Sequence, residues 1–260
     1  MNLFVLLFKS IYSPKTIALT RFQKIGKPIL YGFLLAFLAA LPNCIYLNLA
    51  IVNAINGLDQ TINEKIPEFT IHNGTLKSEE NAVVKAKHDQ YTIIFDPKGT
   101  FTRDDLKWQE NVIGILSNEF VFVSNGTMQQ LEYNFFQETE ITKEDLTAAI
   151  KQLSEVAPII IPVISVTLFA MSATSKFVEI TFLAIVGLLF KKRMGKRLNF
   201  KQLWTISAYS VTLATVFFAI MNFFLIDISF ALYINWFVHI TVLYLVLKEI
   251  PSPKQPIKAA

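Results

Sequence analysis

The chain has 260 residues, 53% of them hydrophobic and only 17% charged, with a mean hydropathy of +0.44. That balance is too apolar for an ordinary soluble domain. The formal net charge of +4 is divided: residues 53–155 carry 9 Lys and Arg against 17 Asp and Glu, a net of −8, and the remainder carries 15 against 3, a net of +12. The basic residues flank apolar runs, so they indicate topology and anionic headgroups; no nucleic-acid motif is present.

Residues 1–27 begin apolar and turn basic at Lys9, Lys15, Arg21, Lys24 and Lys27. A secretory signal has the opposite order. Leu3, Leu6, Leu7, Ser10 and Ile11 follow helical spacing, which predicts an amphipathic helix in the cytoplasmic interface, ended near Ser13-Pro14. Residues 28–52 form an apolar run about the ~20 residues a bilayer needs, with a kink expected at Leu38 to Pro42. Cys44, the only cysteine, lies in this run. A single cysteine excludes an intramolecular disulfide and a cysteine-based zinc or iron–sulfur site.

Residues 53–155 hold most of the acidic charge and read as a small extracytoplasmic α+β domain, entered through a helical stalk that ends near Pro67. Two hairpins are predicted, with turns at Asn73-Gly74 and Asn125-Gly126, because Asn-Gly tolerates positive φ at both turn positions. The same residues match the N-glycosylation sequon, but the turn explains them without a glycan. Tyr91 to Phe95 and Val112 to Leu116 read as strands, the first closed by Asp96-Pro97-Lys98-Gly99, and Asp104 to Glu110 as a short helix. Thr142 with Asp145 three residues on resembles a capping box opening the next helix.

Residues 156–190 are the longest apolar stretch. The run 158–190 would measure ~50 Å as one helix, against ~30 Å of hydrocarbon. A split near Ser175-Lys176 would place the following cations outside, against the positive-inside rule, so one long helix is expected. Those cations are Lys191, Lys192, Arg193, Lys196, Arg197 and Lys201, in a basic cytoplasmic loop at 191–202 that faces anionic lipid headgroups. Residues 203–226 and 228–247 are the third and fourth spans, and 248–260 a cytoplasmic tail. The predicted fold is an α-helical integral membrane protein with four transmembrane helices and an inserted α+β domain, in a bacterial plasma membrane with both termini cytoplasmic.

Candidate chemistry lies within the spans. Lys176 and Glu179 share a helix face, where they can pair, and ionisable residues at such depth are costly and often functional. A buried pair that only orients helix packing is the commoner case. Asn222, Asp227, Asn235 and His239 form a second polar set; Asn235 and His239 are four apart on one face, and His titrates near neutral pH. A lone intramembrane His is more often a hydrogen-bonded packing residue. His72 and His88 have no metal-ligand spacing beside them, so no metal or cofactor is expected. No nucleophile elbow, zinc-protease helix, phosphate-binding loop or dinucleotide fingerprint is present, so no catalytic residue is named and the chain is not expected to be an enzyme.

The chain resembles a family of integral membrane proteins of Firmicutes sometimes labelled maltodextrin utilization protein. The likeness lies in Phe8-Lys9-Ser10-Ile11-Tyr12-Ser13-Pro14-Lys15, in Ile66-Pro67-Glu68-Phe69 leading to Asn73-Gly74, and in the basic loop running into Phe200-Lys201-Gln202-Leu203-Trp204. A looser similarity to Yip-type membrane domains lies in Ser13-Pro14-Lys15 and in Phe200-Lys201-Gln202 before Ala208-Tyr209. The resemblance implies a link to sugar uptake but supplies no catalytic residue. Trp108 and Tyr133 are the weak candidates for an aromatic sugar platform. Three functions follow as expectations: an accessory, sensing or scaffolding protein whose external domain binds a protein partner or ligand; a small transporter or channel-like protein using Lys176, Glu179 and His239; or a membrane trafficking or remodelling factor.

Overall fold

The computed structural model describes residues 2–88, 91–124, 126–136 and 139–251. Asn125 of the second expected turn, and the tail from 252 on, lie outside the described residues. The chain divides into two compact units: one holds the residues up to Leu47 and from Pro162 on, the other Asn48–Ile161.

The first unit is helical. α1 (Leu3–Tyr12) starts at Asn2, whose side chain accepts from the Leu3 N–H at 2.6 Å. α2 (Pro14–Leu19) follows at once; Ser13 ends α1 and caps α2, and proline at the first helical position has no N–H to leave unpaired. A 3-10 turn at Thr20–Phe22 leads to α3 (Gly26–Lys65), a 40-residue helix with Pro42 inside it. α1 is more than an interfacial ribbon. Leu6 and Ser10 are buried against the other helices, while Phe4, Phe8 and Tyr12 face outward.

α5 (Lys143–Arg193) is one uninterrupted helix of 51 residues that contributes to both units. The Thr142 hydroxyl accepts from the Asp145 N–H at 3.2 Å, and the Asp145 carboxylate accepts from the Thr142 N–H at 2.9 Å, the reciprocal capping box. α5 ends in a Schellman turn: Gly195 (φ +64°) is left-handed, and the Lys196 N–H donates to the Lys191 carbonyl at 2.9 Å. Only residues 194–199 are non-helical here, so the basic loop is shorter than expected.

The third apolar segment is α6 (Phe200–Ser210) and α7 (Thr212–Phe223), interrupted at Val211. The Thr212 hydroxyl donates to the Tyr209 carbonyl at 2.7 Å, which competes with the helical ladder and tightens the backbone there. α8 (Ala231–Lys248) is reached through Leu225 (φ +56°) and Phe230 (φ +62°). Left-handed backbone at bulky residues costs roughly 1–2 kcal/mol each. Among the described residues, four helices or helix pairs are long and apolar enough to cross a membrane: α3, α5, α6–α7 and α8. Their shared core includes Tyr31, Leu35, Leu183, Leu203, Tyr209 and Leu243. Tyr31 packs on Tyr209 at 4.3 Å between ring centroids, and its hydroxyl meets the Thr212 hydroxyl at 2.6 Å.

The second unit carries two sheets. β1 (Phe69–His72) pairs antiparallel with β2 (Thr75–Ser78) and with the two-residue β8 (Ile141–Thr142). The β1–β2 turn has Asn73 at φ +49° and Gly74 at φ +73°, both positive as the Asn-Gly signal requires. The larger sheet has the order β3 (Val84–His88), β4 (Tyr91–Phe95), β5 (Val112–Ile115), β6 (Glu119–Ser124), β7 (Thr127–Glu132). All its pairs are antiparallel except β4–β5, which the short helix α4 (Arg103–Leu106) connects in parallel. Asp96 is fully buried after β4; its carboxylate accepts from the Lys98 N–H at 3.1 Å and the Phe101 N–H at 2.5 Å, which fixes the turn into the crossover. One core gathers Ile62, Ile71, Leu76, Ile93, Phe95 and Ile150; a second, on the other side of the large sheet, gathers Ile94, Leu106, Val112, Val121 and Val123.

Candidate functional site

Three helices of the first unit converge on one ion pair. Lys176 and Glu179 lie one turn apart on α5, and the Lys176 ammonium sits 2.5 Å from Glu179 Oε2. Asn235 and His239 lie one turn apart on α8. Asn235 donates to Glu179 Oε1 at 2.6 Å, and His239 Nε2 reaches the same oxygen at 2.5 Å. Thr215 of α7 accepts from Lys176 at 2.9 Å while its hydroxyl donates to the Val211 carbonyl at 2.8 Å, at the break between α6 and α7. His239 is 0% exposed, Thr215 3% and Lys176 9%.

With His239 neutral the cluster carries no net charge, because Lys176 and Glu179 cancel. Pairing is what makes burial tolerable; removing one partner of such a pair costs about 3–5 kcal/mol, since the other charge is left buried alone. His239 Nδ1 is buried with no hydrogen-bond partner among the described residues. A cavity of about 350 Å³ opens beside the cluster, lined by Lys176, Thr215, Asn222 and Asn235 with Phe218 and Leu232. This geometry can hold α5, α7 and α8 in register, and it can hold or pass a proton between Glu179 and His239.

Of the residues expected at the site, Lys176, Glu179, Asn235 and His239 touch one another, and Asn222 lines the adjoining cavity. Asp227 does not join them; it is exposed on the α7–α8 connection. Thr215 was not anticipated. Its one signal is its position four residues after Val211, which puts its hydroxyl on a backbone carbonyl and leaves its oxygen to accept from a cation.

The basic residues after α5 divide into two kinds. Lys191 donates to the Leu198 carbonyl at 2.6 Å, and Lys196 donates to the Ile250 carbonyl, so these two tie the turn to its surroundings. Lys192, Arg193, Arg197 and Lys201 are exposed.

The second unit offers a different surface. A groove of about 710 Å³ lies along β1, β2 and β8, lined by Glu68, Glu79, Glu140 and Glu144 with His72 and Lys77. Elsewhere Arg103 pairs with the buried Glu119 at 3.2 Å. Burial, and then the Glu119 charge, push the Tyr133 phenol well above its ordinary value. Tyr133 is itself buried, so it cannot serve as a sugar platform; Trp108 is 86% exposed. Among the described residues no group of three or more His, Cys, Asp or Glu is placed to hold a metal ion.

The family model described as "Protein of unknown function (DUF1189)" matches residues 4–247. The chain belongs to this family. The match runs from within α1 to within the last turn of α8 and takes in the whole of the sheet-bearing unit. No curated protein and no solved structure matches the chain.

Proposed function

We propose that the chain is a four-span protein of a bacterial plasma membrane that acts by binding rather than by catalysis. Its sheet-bearing unit lies outside and carries the binding surface, and both termini and the basic turn lie inside. The observation that carries this reading is the contrast in surface chemistry. The apolar helices expose large hydrophobic side chains such as Phe37, Val166 and Leu189, whereas the sheet-bearing unit is acidic and folds around its own cores. Exposed apolar surface on that scale needs a lipid or protein cover. The positive charge before α3 and after α5 supports the orientation. The glutamate-lined groove along β1, β2 and β8 favours a basic partner. A role beside sugar uptake is part of this reading, on the strength of the family resemblance alone.

The test is crosslinking and pull-down from native membranes, with the full chain beside a variant lacking 56–153. Partners that disappear with the deletion support the external unit as the working surface. The same partners captured by both forms refute it.

The polar cluster favours a second reading, an ion-coupled transporter, because Lys176 and Asn235, both of which meet Glu179, line a cavity. Vesicles reconstituted with the full chain decide it. A proton or ion flux abolished by Glu179→Gln with the fold intact supports transport, and wild-type vesicles without flux exclude it.

A further inference from the structure

We propose that a groove on the helical unit is a specific site for one anionic glycerophospholipid. The site is separate from the diffuse attraction of the basic turn, and it rests on the membrane reading above. The groove encloses about 560 Å³ between Ile25, Ile29 and Phe33 of the α3 segment, Phe177 of α5, and Phe200, Lys201 and Trp204 of α6.

Its apolar wall is built and held. The Trp204 indole N–H donates to the Thr181 hydroxyl at 3.1 Å, and its ring stacks on Phe177 at 6.2 Å with 5° between planes. Phe33 meets Phe177 edge-on at 4.9 Å. Gly32 makes the close approach of α5 possible, since a Cβ there would lie 2.9 Å from the Phe177 ring. The helix rises ~10 Å from Gly26 to Phe33, enough to lay part of an acyl chain along the aromatic surface.

The one charged residue in the lining of the groove, Lys201, is a cation. Lys24 and Lys27, both exposed, flank Ile25 in the chain. No acidic residue occurs before Asp59 or between Glu179 and Asp227. An apolar slot edged by a lysine, with no carboxylate in its lining, matches an acyl chain joined to an anionic headgroup, such as phosphatidylglycerol. A zwitterionic headgroup would bring an ammonium to the same lysines.

The test reads Trp204 directly. The full-length chain carrying Trp108→Phe and Trp236→Phe keeps Trp204 alone, and is placed in bilayer nanodiscs with bromine on the acyl chains of either phosphatidylglycerol or phosphatidylcholine. The expected result is several-fold stronger quenching by the brominated phosphatidylglycerol at equal mole fraction. Lys201→Gln lowers that preference roughly fivefold, the worth of one lysine near an anionic surface. If Lys201→Gln does not fold, Lys24→Gln with Lys27→Gln reads the same preference. Equal quenching by the two lipids overturns the site. A companion chain keeping Trp236 alone separates the two levels of failure. Quenching at Trp236 but not at Trp204 overturns the groove and leaves the membrane reading standing. Quenching at neither tryptophan overturns both.

Discussion

The two units have apolar cores but differ in what else they hide and in what they show. The helical unit hides polar groups and shows apolar ones: Lys176, Thr205, Ser207, Ser210, Thr212, Thr215 and His239 are buried, while Phe37, Val166, Leu189 and Phe237 are exposed. The sheet-bearing unit does the reverse, with Ile93, Phe95, Val121 and Val123 inside and most of its carboxylates outside. Its buried exceptions are few and held, as Asp96 is by two backbone N–H groups and Glu119 is by Arg103. One chain thus follows two solvation rules. In water, apolar burial drives folding; where the surroundings are apolar, close packing and internal hydrogen bonds must do so.

The largest effect that sharpens this comparison is at Glu179. Glu179→Gln leaves Lys176 buried beside a neutral amide and should destabilise the helical unit by about 3–5 kcal/mol. The double variant Lys176→Met with Glu179→Gln should recover much of that loss. The exposed counterpart is Lys143 with Glu68, 3.1 Å apart with Glu68 largely in solvent; Glu68→Gln should cost no more than about 1 kcal/mol. Thermal unfolding of the purified chain checks both. Equal losses at the two pairs would erase the distinction between the units.

Next in size is close packing within the helical unit. Gly32→Ala puts a methyl group against the Phe177 ring. It should destabilise the helical unit by roughly 1–3 kcal/mol, as overpacking does elsewhere. A gain in melting temperature would show that the α3–α5 approach is looser than described.

Smaller again is the start of α6. Asn199 accepts from the Gln202 N–H at 2.8 Å, and Gln202 answers on the Asn199 N–H at 3.0 Å. Asn199→Ala should cost about 1 kcal/mol, read as a lowered melting temperature of the helical unit.

The smallest effect is in the pH dependence of the sheet-bearing unit. The Thr142 backbone N–H, and then its hydroxyl, hold the Asp145 carboxyl below the ordinary aspartate range; Thr102 does the same for Asp105. A pKa depressed in the folded state gives stability that is complete above the unfolded value of about 4. That stability is lost as pH falls through the folded value. Asp145→Asn should therefore lower the neutral plateau slightly and flatten the acid limb below about pH 4, because the low-pH end, where the carboxyl is already protonated, changes least. An unchanged acid limb would contradict the capping box.

How far the sequence reached depends on how local each signal is. The Asn73-Gly74 turn and the Thr142–Asp145 box are set by neighbouring residues, and each was legible. β3 was not, because Val-Lys-Ala-Lys-His offers two apolar residues and a lysine alternation that any exposed loop shares. β8 is two residues long and exists through its pairing with β1, about 70 positions earlier. The parallel β4–β5 pairing depends on the α4 crossover, whose Thr102–Asp105 capping box is local and does not say which strands pair across it. At the cluster, the helical spacings of Lys176 with Glu179 and Asn235 with His239 announced which side chains share a face, but not that both faces meet. Thr215 escaped notice because a threonine in an apolar helix ordinarily bonds its own preceding turn, and this one does so while also meeting a cation. Asp227 misled because nearness in sequence to an apolar helix does not bring a connection residue to the helix interior.

The most direct test of the four-span arrangement is the sidedness of single cysteines. In a Cys44→Ala background, one cysteine replaces exposed Lys77 in the sheet-bearing unit and another replaces exposed Arg197 in the turn after α5. A membrane-impermeant maleimide is then applied to intact cells and again after permeabilisation. The expected result is labelling at position 77 in intact cells and at 197 only after permeabilisation. Labelling of both positions in intact cells, or of 197 alone, would contradict it.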